Sequence, residues 1–259
     1  MRTTVGPVIA LLVVLVGLGL VWVLSDRASN EPASTTATGA AARDDWHVER
    51  VDQGTTLRVI DTSGTEVLRY SIDAFNAWTT THWDELFAER PSFGEIRPVD
   101  FDDFRQFDPG AALSPSGEVV AFSVSDYAAA TTLSFVGFLN VDADTVALVG
   151  DVKRGQIDEL RWSPGGRSVA YRLHTARAHG DGLSVDRAAP PQPVVTLTGR
   201  DVLAALDATG TTNPSAFQPA FDDLAWTNQE HLTVTSGAPN GERTRWRMAV
   251  DDGLLTKID

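Results

Sequence analysis

The chain has 259 residues, carries a formal net charge of −14 and contains no cysteine. Without cysteine there are neither disulfides nor thiol chemistry, and so acidic a chain repels nucleic acid and does not lie flat on anionic lipid. Residues 1–44 hold three arginines and three acidic groups, so all of that charge belongs to the remaining residues, which suffice for one substantial core.

An apolar run comes first. Residues 5–24 carry no charge, and a helix of that length matches a hydrocarbon core of about 30 Å. A transmembrane signal-anchor over residues 1–24 is predicted, with Trp22 at the interface, because the apolar region of a cleavable signal peptide is usually only about 7–15 residues long. Signal cleavage and secretion is the alternative. Arg2 and the α-amino group precede the span, so the positive-inside rule puts the amino terminus in the cytoplasm and the rest outside the plasma membrane. Residues 25–44 are mostly Ala, Ser, Thr and Gly, which bury too little apolar area to fold. They read as a flexible linker to a folded domain over residues 45–259.

Trp46–Val51, Thr55–Asp61 and Glu66–Tyr70 then read as three strands, the last two joined over Thr62-Ser-Gly-Thr65. Residues 71–90 break that pattern. Ile72, Phe75, Trp78, Thr79, Trp83, Leu86 and Phe87 fall on one helical stripe, Ser71 caps it and Pro91 stops it. One inserted amphipathic helix, packed on the neighbouring sheet, is predicted.

A repeat organises the remainder. Leu113-Ser-Pro-Ser-Gly-Glu-Val-Val-Ala-Phe122 and Trp162-Ser-Pro-Gly-Gly-Arg-Ser-Val-Ala-Tyr171 each spell strand, tight turn, strand. Pro presets φ early in the turn, and Gly accepts the conformation that closes it. A third copy, Trp226-Thr-Asn-Gln-Glu-His-Leu-Thr-Val-Thr235, keeps the aromatic and the strand but loses Pro and Gly. Upstream, Ile157-Asp-Glu-Leu-Arg-Trp162 and Phe221-Asp-Asp-Leu-Ala-Trp226 share one pattern, and Phe107-Asp108 before Leu113 is a version with one residue inserted. Hairpins follow over 132–150, 183–198 and 243–258, with a short helix at 201–208. Steps of 49 and 64 residues separate Leu113, Trp162 and Trp226, spacing at or above that of blade or solenoid units. The predicted fold is all-β, with three full units and an incomplete one forming a four-bladed ring or an incomplete arc.

Trp162, Ser163, Pro164, Gly166, Ala170 and Tyr171, with Ser114, Pro115, Gly117, Ala121 and Phe122, resemble the WD40-like β-propeller repeats of the TolB and dipeptidyl-peptidase-propeller kind. Gly165 and Ser116 stand where that pattern has Asp. The resemblance implies a propeller and scaffolding of protein partners, but the fold carries many roles.

Chemistry is harder to find. No Gly-x-Ser-x-Gly elbow is present. His174, His179 and Asp181 lack the helical spacing of a metal site. Asn140, Asp142 and Asp144 alternate as in a calcium loop, but Thr145 and Asp151 replace its Gly and Glu. Asp102-Asp103, Asp158-Glu159 and Asp222-Asp223 are paired carboxylates. Their recurrence favours structure, with Asp158 and Asp222 capping turns or accepting backbone N–H bonds. Trp162 and Trp226 read as packing between blades. No catalytic, cofactor-binding or metal site is expected, and no cofactor.

The expected function is that of a membrane-anchored extracytoplasmic binding or scaffolding protein contacting another envelope protein or a glycan, and not an enzyme. The alternative is a glycosidase-like propeller hydrolase with carboxylates in its central channel.

Overall fold

The structure, a computed structural model, describes residues 43, 45–87, 104–126, 132–149, 152–174, 181–198, 201, 204–205, 221–237 and 243–258. The expected membrane span, the carboxylates Asp102-Asp103 and most of the helix expected at 201–208 lie outside those residues. Among the described residues no helix is long and apolar enough to cross a membrane.

Four antiparallel sheets follow one another along the chain, each with its strands in chain order. The first contains β1 (His47–Val51), β2 (Thr56–Ile60) and β3 (Glu66–Ser71). The second contains β4 (Ala112–Leu113), β5 (Val119–Asp126), β6 (Leu133–Asn140) and β7 (Thr145–Leu148), with the short β8 (Lys153–Arg154) also paired to β6. The third contains β9 (Gln156–Trp162), β10 (Ser168–His174), β11 (Gly182–Ala188) and β12 (Pro191–Leu197). The fourth contains β13 (Phe221–Trp226), β14 (His231–Gly237), β15 (Arg243–Ala249) and β16 (Leu255–Lys257). The predicted all-β repeat architecture is thus the observed one, with strands close to their expected bounds.

Each apolar core cluster lies between two successive sheets. Phe75, Phe107, Phe122 and Val59 join the first sheet to the second, Val136, Tyr171 and Leu173 the second to the third, and Leu183, Val185, Trp246 and Met248 the third to the fourth. Among the described residues, no cluster joins the fourth sheet to the first. Small sheets buried face against face in series are the repeat architecture that the spacing predicted.

The turns explain the repeated residues. Ser163 is buried, and its Oγ accepts from the N–H groups of Arg167 at 3.2 Å and Ser168 at 3.1 Å. Ser114 does the same for Val119 at 3.1 Å. Gly117 and Gly166 close these turns at φ of +72° and +66°, a region L side chains avoid. In the third copy Asn228 takes over, its Oδ1 accepting from Glu230 N–H at 2.8 Å and His231 N–H at 2.9 Å. An Asx turn therefore replaces Ser-Pro-x-Gly at no loss of backbone satisfaction.

Gly165, the first departure from the usual Asp, has a local cause. A Cβ there would lie 2.3 Å from the side-chain nitrogen of Gln229, which belongs to the turn of the fourth sheet. The two departures from the repeat pattern therefore fit each other.

The tryptophans connect sheets by hydrogen bonds as well as by packing. Trp162 Nε1–H donates to Ala112 O at 2.9 Å, and Trp226 Nε1–H donates to Arg161 O at 2.8 Å. Each indole thus bonds to the first strand of the preceding sheet.

The helix α1 (Ile72–Phe87) leaves the first sheet directly after β3. Ser71 Oγ accepts from Ala74 N–H at 3.1 Å, the predicted cap. Ile72, Phe75 and Thr79 are buried along its stripe, with Trp78 half-buried. Trp83, Leu86 and Phe87 have side chains outside those described. Asn76 fixes the incoming chain, donating to Phe104 O at 2.9 Å and accepting from Phe104 N–H at 3.1 Å.

Candidate functional site: a charged seam on the third and fourth sheets

The paired carboxylates mark two β-bulges. The register between β9 and β10 shifts across Ala170/Arg172, and that between β13 and β14 across Asp222/Ala225. Glu159 and Asp223 take the extra place at φ of +54° and +52°. A bulge bends its strand and re-aims the neighbouring side chains. Here the acids at the two bulges meet arginines of both sheets.

Arg172 on β10 is the hub. Its Nε donates to Asp158 Oδ1 at 3.0 Å, its Nη2 pairs with Glu159 Oε2 at 2.9 Å, and its Nη1 donates to Phe221 O on β13 and lies 3.7 Å from Asp222 Oδ1. Arg243 on β15 pairs with the other oxygen of Asp222, and Arg161 pairs with Glu159 at 3.1 Å. The ladder crosses from the third sheet to the fourth, so a charge-assisted bond reinforces an apolar interface. The expectation that Asp158 and Asp222 cap turns or accept backbone N–H bonds is corrected: both carboxylates serve arginines. Only the looser copy behaves differently, with Asp108 buried and accepting from Ser125 Oγ at 2.6 Å.

His174 extends the seam. Its Nε2 is 2.6 Å from Asp158 Oδ2 and its Nδ1 is 3.0 Å from Asp181 Oδ1. Partial burial opposes protonation, but the charges of Asp158 and Asp181 outweigh it, and the imidazole pKa is raised. With a carboxylate at each nitrogen, the ring is built to carry a proton on both.

The other sequence candidates are dispersed. Asn140 turns its Oδ1 to the backbone N–H groups of Asp142 and Ala143, at 3.0 and 2.9 Å, and Asp142 pairs with Arg43 at 3.0 Å. Asp144 lies instead in a cleft of about 600 Å³ beside Tyr70 and Trp78. Burial and the nearby Asp144 charge push the Tyr70 pKa up to about 12. His179 lies outside the described residues. Among those described, no group of three or more acidic or imidazole side chains is placed to hold a metal. A second cleft, of about 630 Å³, opens at the turn ends of the third and fourth sheets, with Arg167, Arg187, Glu230 and Asp251 among its lining residues. Neither cleft includes a residue of the seam.

Sequence reasoning missed two features. Of the two lysines in the chain, Lys153 is almost fully buried, with its Nζ 3.4 Å from Asp186 Oδ1, while Tyr171 Oη–H donates to Asp186 Oδ2 at 2.5 Å. The scarcity of lysine was the available signal. Arg172 was the other, and only its place opposite a repeated Asp could have pointed to it.

No family model and no curated protein match this chain. Solved structures do. The β-propeller domain of the trilobed protease from Pyrococcus furiosus is 11% identical at a TM-score of 0.36, over 55% of this chain and 39% of that one. An uncharacterized protein from Listeria monocytogenes is 14% identical at 0.41, over 59% and 40%. A prolyl endopeptidase structure is 14% identical at 0.45, over 84% of this chain and 28% of that one. The chain therefore spans less than half of each. The first of these structures is described as a β-propeller domain, and nothing among them is specific to the TolB kind. The expectation that the chain is not an enzyme is corrected by the same comparison: a protease and an endopeptidase are among these neighbours, so the non-catalytic reading is withdrawn.

Proposed function

We propose that this chain is a membrane-tethered, extracytoplasmic propeller-type domain that recognises another protein of the cell envelope through the Asp158–Arg172–Asp222 seam. The observation that carries the reading is the arrangement of the seam: alternating charges on rigid strands of two sheets, half exposed at His174 and Asp222. Charges fixed in place by a frame favour complementary partners and repel others. Residues 5–24 supply the tether and residues 25–44 the reach.

A photo-crosslinking residue at position 174 of the full chain, activated in intact cells and read by mass spectrometry, tests it. An adduct with one envelope protein, lost in Arg172→Ala, supports the reading. Adducts with glycan alone, or none, overturn it. Release of sugar or peptide fragments by the purified chain would move the seam to the hydrolase reading. Protease added outside the cell should digest residues 45–259, and protection there would remove the proposed topology.

A further inference from the structure

Two acids share the turn between β6 and β7, and only one is answered. Asp142 pairs with Arg43 at 3.0 Å. Among the described residues the carboxylate of Asp144 has neither an ion pair nor a hydrogen bond, although its backbone N–H donates to Asn140 O at 3.0 Å. Asp144 stands at φ of +51°. At the matching place of the turn between β15 and β16, where the N–H of Gly253 donates to Ala249 O at 3.0 Å, the residue is glycine at +70°. A turn of this build therefore closes without a carboxylate there.

Asp144 lines the cleft of about 600 Å³, and Tyr70 of β3 lines it too. Tyr70 is only 7% exposed, its ring packed on Phe107 at 6.2 Å. Its hydroxyl has no hydrogen-bond partner among the described residues, whereas a buried phenol usually finds one. Burial and the Asp144 charge raise its pKa to about 12 and so keep it protonated. Arg69 also lines the cleft, but Glu66 at 2.8 Å and Asp52 at 3.4 Å already balance its charge. Trp78 of α1 and Val146 of β7, both half-buried, give the cleft an apolar wall.

We propose that this cleft takes a primary ammonium group on a short aliphatic stem, its N–H groups donating to Asp144 and Tyr70 and its carbons lying along Trp78 and Val146. Charge selects the occupant. An anion is repelled by Asp144, and a neutral alcohol leaves that carboxylate without the stronger, charge-assisted bond. A lysine side chain of a partner polypeptide and a free alkylamine offer the same chemistry. The cleft shares no residue with the seam, so either proposal can fail alone.

Titration calorimetry of the full chain at neutral pH tests it, with n-butylammonium chloride, the chemistry of a lysine side chain, as the probe. Saturable binding is expected, weakened roughly tenfold or more by Asp144→Asn and roughly threefold or more by Tyr70→Phe. Asparagine tolerates a positive φ and phenylalanine keeps the ring packing, so both variants should unfold at the midpoint of the natural chain. Butyrate and 1-butanol should bind roughly tenfold more weakly or worse. Nα-acetyl-lysine methylamide distinguishes the sources: binding as tight as that of butylammonium assigns the cleft to a polypeptide side chain, and binding of butylammonium alone assigns it to a free amine. No saturable binding of either ammonium, equal binding of 1-butanol, or binding unchanged in either variant overturns the proposal.

Discussion

Single side chains in this molecule do work that the repeat pattern only hints at. Ser163 satisfies two backbone donors from a buried position, so Ser163→Ala should cost about 1–3 kcal/mol, the price of leaving buried donors unmet. Urea denaturation measures it, and an unchanged midpoint would mean that water replaces the hydroxyl. Lys153 and Asp186 are both buried and ion-paired. Removing one charge of such a pair strands the other, so Lys153→Met should destabilise by about 3–5 kcal/mol. Combined with Asp186→Asn the loss should be smaller than the sum, with a coupling of about 0.5–3 kcal/mol; additive losses would show the charges to be independent. His174 gives the molecule a pH dependence. Because its pKa is raised on folding, its stabilising contribution is complete below the ordinary value of about 6.5 and is lost as pH rises through the higher folded value. Unfolding midpoints followed upward from about pH 6.5 should therefore fall more steeply for the natural chain than for His174→Gln. Parallel curves would remove His174 from the account.

Elements were legible where their signals were local. The cap at Ser71, the stripe of Ile72 and Phe75 and the Ser-Pro-x-Gly turns all lie within a few residues of what they determine. Ser71→Ala should cost about 1 kcal/mol of α1 stability, read from the helical signal on thermal unfolding. Illegible features depended on cross-strand partners. Gly137, in the middle of β6, looks like a weak point in a strand. Its register partner is Phe122, whose ring lies 2.3 Å from where a Cβ would stand. A methyl there must displace a fully buried ring, so Gly137→Ala should destabilise by about 1–3 kcal/mol despite the gain in strand propensity. A neutral or stabilising result would show that Phe122 can move aside. The seam was half legible for the same reason. Its acids recur in sequence, but their assignment to turn capping failed because Arg172 and Arg243 reach them only after two bulges have re-aimed the strands.

At the scale of the whole molecule, the serial packing of four sheets explains why the repeat could outline the architecture and not the role. The repeats encode a frame, and function is carried by positions where copies differ. Gly165 and Gln229 are such a pair. The bare turn of the third sheet is matched to one particular neighbour, the turn carrying Gln229. Sheets of such similar build could otherwise swap places or pair with the corresponding sheet of another molecule during synthesis. A gene with its third and fourth units transposed would place a β-carbon against Gln229 or leave that side chain facing nothing, and its product should aggregate or fold slowly. This small irregularity should favour the natural order of the units over the transposed one.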